Sequence, residues 1–398
     1  MVTLLDCSKA FDMVKFSTLF KKLSSSGVPP IVVRVLVYVY EEQFAWVRWG
    51  NAKSKQFRIV NGTRQGSVLS PALFSLYMND LLVKLRKLGM GCHIGGVFVG
   101  AALYADDLAL IAPSRHALQQ MLQLCEEYAV EHNLVFSSDP DPVKSKSKCI
   151  YMVGKVRGGQ VKYPKPVRLR GVDLPWVTSA NHLGHLLHQD CTMEEDARSK
   201  RMTFISDSTD IRDMFSWAHP KQVLQATAVY STSFYGSMLY NLYGEEAQRI
   251  FRCWNTAAKL AWNVPRSTFT FLVEDVLANG MPSVRDSILT RYAMFCQGLL
   301  KANSVEIRIV ASTATSDSRC TTGSNIRNLN RETGLDIMTN TKRKIRSTLS
   351  KSTVSPEEEW RIPYLGRLLQ ERLEALEADR DSVTMDDLVD MVCSSTFG

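Results

Sequence analysis

What is missing from the 398 residues narrows the field first. No apolar run approaches the roughly 18 residues that a bilayer-spanning helix needs. The best candidate, residues 31–40, is short and interrupted by Arg34. Asp6 and Lys9 break up the N-terminal stretch, so it does not read as a secretory leader. The 9 cysteines are scattered without one C-x-x-C pair. That excludes zinc-ribbon and thioredoxin-like readings, and an odd number does not suit a disulfide framework. Reduced, buried thiols are the expectation. There is no internal repeat. With 45% hydrophobic residues, 22 Gly and 14 Pro, the chain is neither collagen-like nor low-complexity nor wholly disordered. A soluble intracellular protein of two or three domains is expected, with no membrane partner and with nucleus or cytoplasm left open.

Outside one segment, acidic residues are outnumbered by basic ones. The net charge is +8, yet residues 357–390 hold eleven acidic and four basic side chains, a net of −7. The remainder therefore carries +15. Residues 144–170 alone contain nine basic side chains and no acidic one. A basic body of this kind favours a polyanionic partner, nucleic acid above all.

Four regions are expected. Residues 1–190 mix strand and helix signals. Helices are predicted from Ser17 to Leu23, from Pro29-Pro30 to about Glu41, and from an N-cap at Ser70 to a stop at Gly89. Ser114 should cap a further helix whose Leu118, Met121, Leu122, Cys125 and Tyr128 share a face. Hairpins are predicted around Gly50-Asn51 and around Ala105-Asp106-Asp107. Residues 191–311 show helical spacing throughout, residues 312–356 read as a Ser/Thr-rich basic linker, and residues 357–398 as an acidic helical tail.

The chemistry concentrates at Asp106-Asp107. Adjacent carboxylates repel, and the flanking runs 97–104 and 108–111 are apolar, so solvation alone does not explain them. A hard divalent cation resolves the conflict, and Asp6, at the end of another apolar run, is placed to join it. Asp is also a common turn residue, so the pair needs its neighbours to be informative. Tyr104-Ala105-Asp106-Asp107 resembles the Y-x-D-D signature of reverse transcriptases. Asp6-Cys7-Ser8-Lys9-Ala10-Phe11-Asp12 resembles the first palm motif of the non-LTR (LINE-type) retrotransposon enzymes. The stretch from Asn61-Gly62-Thr63-Arg64-Gln65-Gly66 through Ser70-Pro71 and Phe74 to Asp80 resembles their second. Three motifs in the right order make the resemblance specific.

The resemblance implies an α+β fold. It would be a right-hand polymerase palm, an antiparallel sheet backed by helices, followed by a helical thumb. It implies RNA-directed DNA synthesis with an RNA template, a DNA primer and dNTP. Asp6 and Asp106 would hold two Mg2+ ions, or Mn2+, with Asp107 as third acidic member. Phe11 would close the sugar pocket against a 2′-hydroxyl, which disfavours the alternative of an RNA-directed RNA polymerase. Gln65 and Gly66 would contact nucleotide and template, and Arg64 a phosphate or a neighbouring loop. His132 to Phe136, followed by the lysines, resembles the fourth palm motif. Lys146 is taken as its lysine, which would protonate pyrophosphate, although Lys144 and Lys148 compete for that register and could track phosphate. His182-Leu183-Gly184-His185 resembles the primer-grip turn, with His182 where tyrosine is usual. His182, His185 and His188 are read as structural, and the later Trp and Tyr residues as core. Family members carry a fingers region before the first motif, and some an endonuclease. By that comparison the chain is expected to be a fragment that polymerises weakly or not at all. The alternative is a catalytically silent retroelement remnant that binds nucleic acid.

Overall fold

The apolar run that ends in Asp6 is the centre of a sheet. In the computed structural model, Val2–Asp6 (β1) is flanked on one side by Asp107–Ile111 (β9) and on the other by Ile150–Met152 (β10). Ala101–Tyr104 (β8) pairs with β9 at the edge, and every pairing is antiparallel. The structure describes residues 1–64, 66–137, 149–155, 164–230, 234–267 and 284–349. They fall into two compact units divided between residues 191 and 192.

Alternation along β1 explains its sequence, because successive side chains point to opposite faces. Leu5, with Leu108 and Leu110 of β9, joins the main core, whereas Leu4 packs with Ala109, Met152 and Ala180 on the opposite side. A strand covered on both faces reads as continuously apolar. Helices Phe16–Ser25 (α1), Ser70–Leu88 (α3) and Arg115–His132 (α4) build the main core, and Pro30–Glu41 (α2) adds Val33 and Tyr40. The hairpin of Ser179–His182 (β13) and His185–His188 (β14) supplies Ala180 and Leu187 to the smaller cluster.

Local signals act where the chemistry requires them. Ser114 Oγ accepts from the Ala117 N–H at 3.2 Å, and Gly89, at φ +69°, ends α3. Ser70, however, lies one residue inside α3; Leu69 is the cap, and the Ser70 hydroxyl donates instead to the Arg64 carbonyl at 2.5 Å. Helix α1 begins at Phe16, ahead of Ser17. The hairpin around Gly50-Asn51 consists of Phe44–Ala45 (β2) on Phe57–Arg58 (β5) and Arg48–Trp49 (β3) on Ala52–Lys53 (β4); His93–Ile94 (β6) pairs with Val97–Phe98 (β7), and Arg168–Leu169 (β11) with Val172–Asp173 (β12).

The second unit is helical in the described residues: Glu194–Met214 (α5), Pro220–Tyr230 (α6), Glu245–Ala261 (α7), Val284–Leu300 (α8), Val305–Ser316 (α9), Thr321–Thr333 (α10) and Lys342–Leu349 (α11). Its core includes Trp254, Trp262, Tyr292, Leu329 and Ile345. Asn325 is buried there as a brace, donating to the Tyr240 carbonyl and accepting from the Leu242 N–H. The linker expected over 312–356 is therefore corrected as far as residue 349. Its hydroxyls bond back to carbonyls one turn earlier, as Thr333 does to Leu329 and Thr348 to Lys344, and so do not oppose the helix. Residues 350–356 and the acidic tail lie outside the described residues. The thiol expectation also needs amendment. All eight described cysteines are free, but Cys191 is exposed and Cys92 and Cys320 are half-buried. Trp217 and Tyr235 are exposed, against the expectation of core. No helix among the described residues is long and apolar enough to cross a membrane.

A polar knot ties α1, α3 and α4 together. Lys22 donates to the Tyr77 carbonyl at 2.5 Å and the Tyr128 hydroxyl at 2.9 Å, and pairs with Asp80 at 2.9 Å. His132 stacks on Tyr128, with ring centroids 3.8 Å apart. Burial, and then the Lys22 charge, holds the His132 imidazole below its ordinary pKa. A base so depressed is bound by fewer protons folded than unfolded, so stability is full above about pH 6.5 and falls as pH drops below it. Thermal unfolding between about pH 7.5 and 5.5 should show that loss. His132→Phe, which keeps a ring on Tyr128, should flatten it; an unchanged slope would remove His132 as its source.

Candidate catalytic site

The register between β1 and β9 sets Asp6 directly opposite Asp107. The β8–β9 hairpin reverses through Ala105 and Asp106, with Ala105 at φ +52° and Tyr104 paired to Asp107. Three carboxylates therefore sit at one end of the sheet, two on facing strands and one on the adjoining turn. Directly opposed like charges destabilise a strand pair.

The segment after α4 holds Asp6 in place. Cys7 bridges to Phe136, the Ser8 N–H donates to the Val135 carbonyl, and the Ser137 N–H donates to the Asp6 carbonyl. The Ser137 hydroxyl donates to Asp6 Oδ2 at 2.9 Å and lies 2.6 Å from the Ser8 hydroxyl. Burial pushes the Cys7 thiol up, and negative charge on Cys149, Asp106, Asp6 and Asp107 pushes the same way. All three carboxylates thus act on one buried thiol. Sequence reasoning missed Ser137; its only signal was its place one residue beyond Phe136.

Among the described residues, no three Asp, Glu, His or Cys side chains close into a metal cluster. The donor set nevertheless suits a hard divalent cation, being carboxylate oxygen on two rigid strands and a tight turn.

Phe11 lies on the 3-10 turn Ala10–Met13 that follows Lys9, itself at φ +49°. Its ring stacks on Phe74 of α3, with centroids 4.7 Å apart and planes 29° from parallel. The loop of the second motif is fastened to this turn. Gly62 N–H donates to the Val14 carbonyl at 2.8 Å, Thr63 N–H to Phe11 at 2.7 Å, and Asn61 Nδ2 to Asp12 at 3.0 Å. A side chain at Gly62 would place its Cβ 3.0 Å from the Asp12 Cα, and φ is +91°. Gly66 differs: φ is +82°, but a Cβ there would meet nothing within 4 Å, so its need for glycine is conformational. The Arg64 side chain is exposed and its carbonyl accepts from Ser67 and Ser70.

Leu183 and Gly184 form the two-residue turn of the β13–β14 hairpin, with φ +49° and +78° and His182 paired to His185. Two positive φ values match a type I′ turn. The histidines therefore lie on strands and a turn, not on a helix. Gln65, Lys144, Lys146 and Lys148 lie outside the described residues.

Residues 1–185 match the family described as reverse transcriptase (RNA-dependent DNA polymerase). The first unit thus carries a reverse-transcriptase domain, and its curated relatives mark it as the non-LTR retrotransposon kind. It is 28% identical over 185 residues to the Pol polyprotein of the type-1 retrotransposable element R2 from Nasonia vitripennis, covering 46% of this chain and 18% of that one. The R2DM polyprotein of Drosophila melanogaster is 36% identical over 118 residues, 30% of this chain and 11% of its own. The probable RNA-directed DNA polymerase of transposon X-element, also from Drosophila melanogaster, is 28% identical over 217 residues, 52% and 20% of the two chains. The chain spans a fifth or less of each. Among solved structures, telomerase from Candida albicans with a fragment of telomeric RNA has a slight likeness. The TM-score is 0.34 at 10% identity, over 79% of this chain and 49% of that one.

The two glycines of the loop should respond differently. Gly66→Ala should cost about 1–2 kcal/mol, the ordinary penalty of a left-handed residue. Gly62→Ala should cost more, since its methyl also meets the Asp12 backbone. Urea unfolding of both variants measures this, and equal losses would contradict the contact.

Proposed function

We propose that residues 1–191 act as the palm of an RNA-directed DNA polymerase, with the helical second unit as its thumb. The observation that carries this reading is the register that opposes Asp6 to Asp107 beside the turn bearing Asp106. Asp6 and Asp106 would hold two divalent cations, Mg2+ or Mn2+, with Asp107 adding negative charge. When bound, such ions neutralise charge developing on a transferring phosphoryl group and activate the attacking hydroxyl.

The chain's own residues would arrange the rest. The Ser137 hydroxyl fixes one Asp6 oxygen and so orients the carboxylate. Phe11, braced on Phe74, would lie under the sugar and exclude a 2′-hydroxyl by contact. The fastened loop 61–64 leads to Gln65 and Gly66, proposed to meet the incoming nucleotide and the template base. Leu183 and Gly184 would bear on the primer strand. Lys146 would supply the proton to departing pyrophosphate, while Lys144, Lys148 and Arg64 would hold phosphate. RNA template, DNA primer and dNTP are the partners this assignment requires.

Two readouts test it. Mg2+-dependent addition of a deoxynucleotide to a DNA primer on an RNA template should fall more than about 100-fold in Asp106→Asn. Mn2+ binding, followed by electron paramagnetic resonance, should weaken at least about tenfold in the same variant, whether or not this chain alone extends a primer. Unchanged Mn2+ binding would sink the metal assignment. Metal binding without extension, with nucleic acid still held, would favour a chain that binds without catalysing.

Phe11→Val tests the sugar contact. The ratio of ribonucleotide to deoxynucleotide incorporation should rise by about 10- to 100-fold. No change in that ratio would return Phe11 to a packing role.

A further inference from the structure

The hairpin of residues 44–58 is unusual in what it exposes. Trp49 is 85% exposed, and Trp46 and Phe57 are about half exposed. Aromatic rings are costly to leave in water, and none of these joins a core cluster. The charges among them share one sign. From residue 43 to 79 there are five basic side chains and no acidic one. Arg48 and Lys53 are cross-strand partners, and the Lys53 ammonium lies 3.8 Å above the Trp46 ring. Arg58 is exposed on β5.

We propose that this hairpin binds a single strand of nucleic acid, with bases stacked on Trp49 and phosphates on Arg48, Lys53 and Arg58. Stacking needs an unpaired base and a free ring face, and Trp49 offers the face. Interleaved cations complement the phosphates and exclude an acidic-free apolar partner as the better match. Position agrees with chemistry. Gly62, fixed against the Phe11 turn, is four residues beyond Arg58, at most about 14 Å of extended chain. A strand held here would lie near the carboxylate end of the sheet.

The test is fluorescence anisotropy of the full chain with labelled oligo(rU) and oligo(dT) of about 20 nucleotides in about 0.2 M salt. Trp49→Ala should weaken binding about tenfold, and Trp49→Phe should restore most of it. Arg48→Gln should lower the salt slope by about 0.7. Trp217→Ala, removing another highly exposed indole, should change nothing. The readout is binding without metal or nucleotide, so a failure of catalysis leaves this test standing. Affinity unchanged in Trp49→Ala, or equally lost in Trp217→Ala, would overturn the proposal. So would an equal loss on duplex, since that marks electrostatics without stacking.

Discussion

Two carboxylates facing one another across adjacent strands are the constraint around which the first unit is organised. Asp6 and Asp107 cannot be moved apart without slipping the register of β1 on β9, and a one-residue slip would turn Leu5, Leu108 and Leu110 away from the helices. The same pairing that buries the apolar residues therefore fixes the charges. Burial on two faces of β1 sustains a repulsion that the carboxylates alone would relax. Ser137 completes the arrangement by holding one oxygen of Asp6 from a segment more than a hundred residues away.

Much of this was legible in the sequence, for reasons that can be named. Apolar runs on either side of Ala105-Asp106 admit few arrangements besides a hairpin, and the i, i+4 spacing of Tyr77, Leu81 and Leu85 with Gly89 behind it marks a helix and its end. The carboxylates were legible because a motif names them. Their mutual register was not, since sheet order links residues a hundred positions apart and leaves no periodicity. Nor was the Lys22 knot, whose partners come from three helices.

The second unit shows the opposite failure. Ser and Thr content over 312–349 reads as irregular chain because these residues favour caps and turns. The count conceals Ile326, Leu329, Ile345 and Leu349, spaced to face one core, and it ignores hydroxyls satisfied within their own helices. Composition averages over a segment, whereas packing depends on position. The exposed hairpin aromatics show the converse, since a strand pattern there predicts pairing and says nothing of which faces meet water.

The hydrogen bonds from Asn61, Gly62 and Thr63 to the Phe11–Val14 turn close the base of a long excursion made of α1, α2 and the hairpin. The chain leaves this point at residue 14 and returns at residue 61. Whatever lies between is topologically a side branch. Insertions there lengthen a loop whose ends are already clamped, and closure entropy grows only slowly with length. The exposed turns of the segment can thus acquire new elements while Phe11 and the loop before Gly66 keep their spacing. Additions at the exposed turns of that branch would leave both its root and the core-facing sides of α1 and α2 where they are.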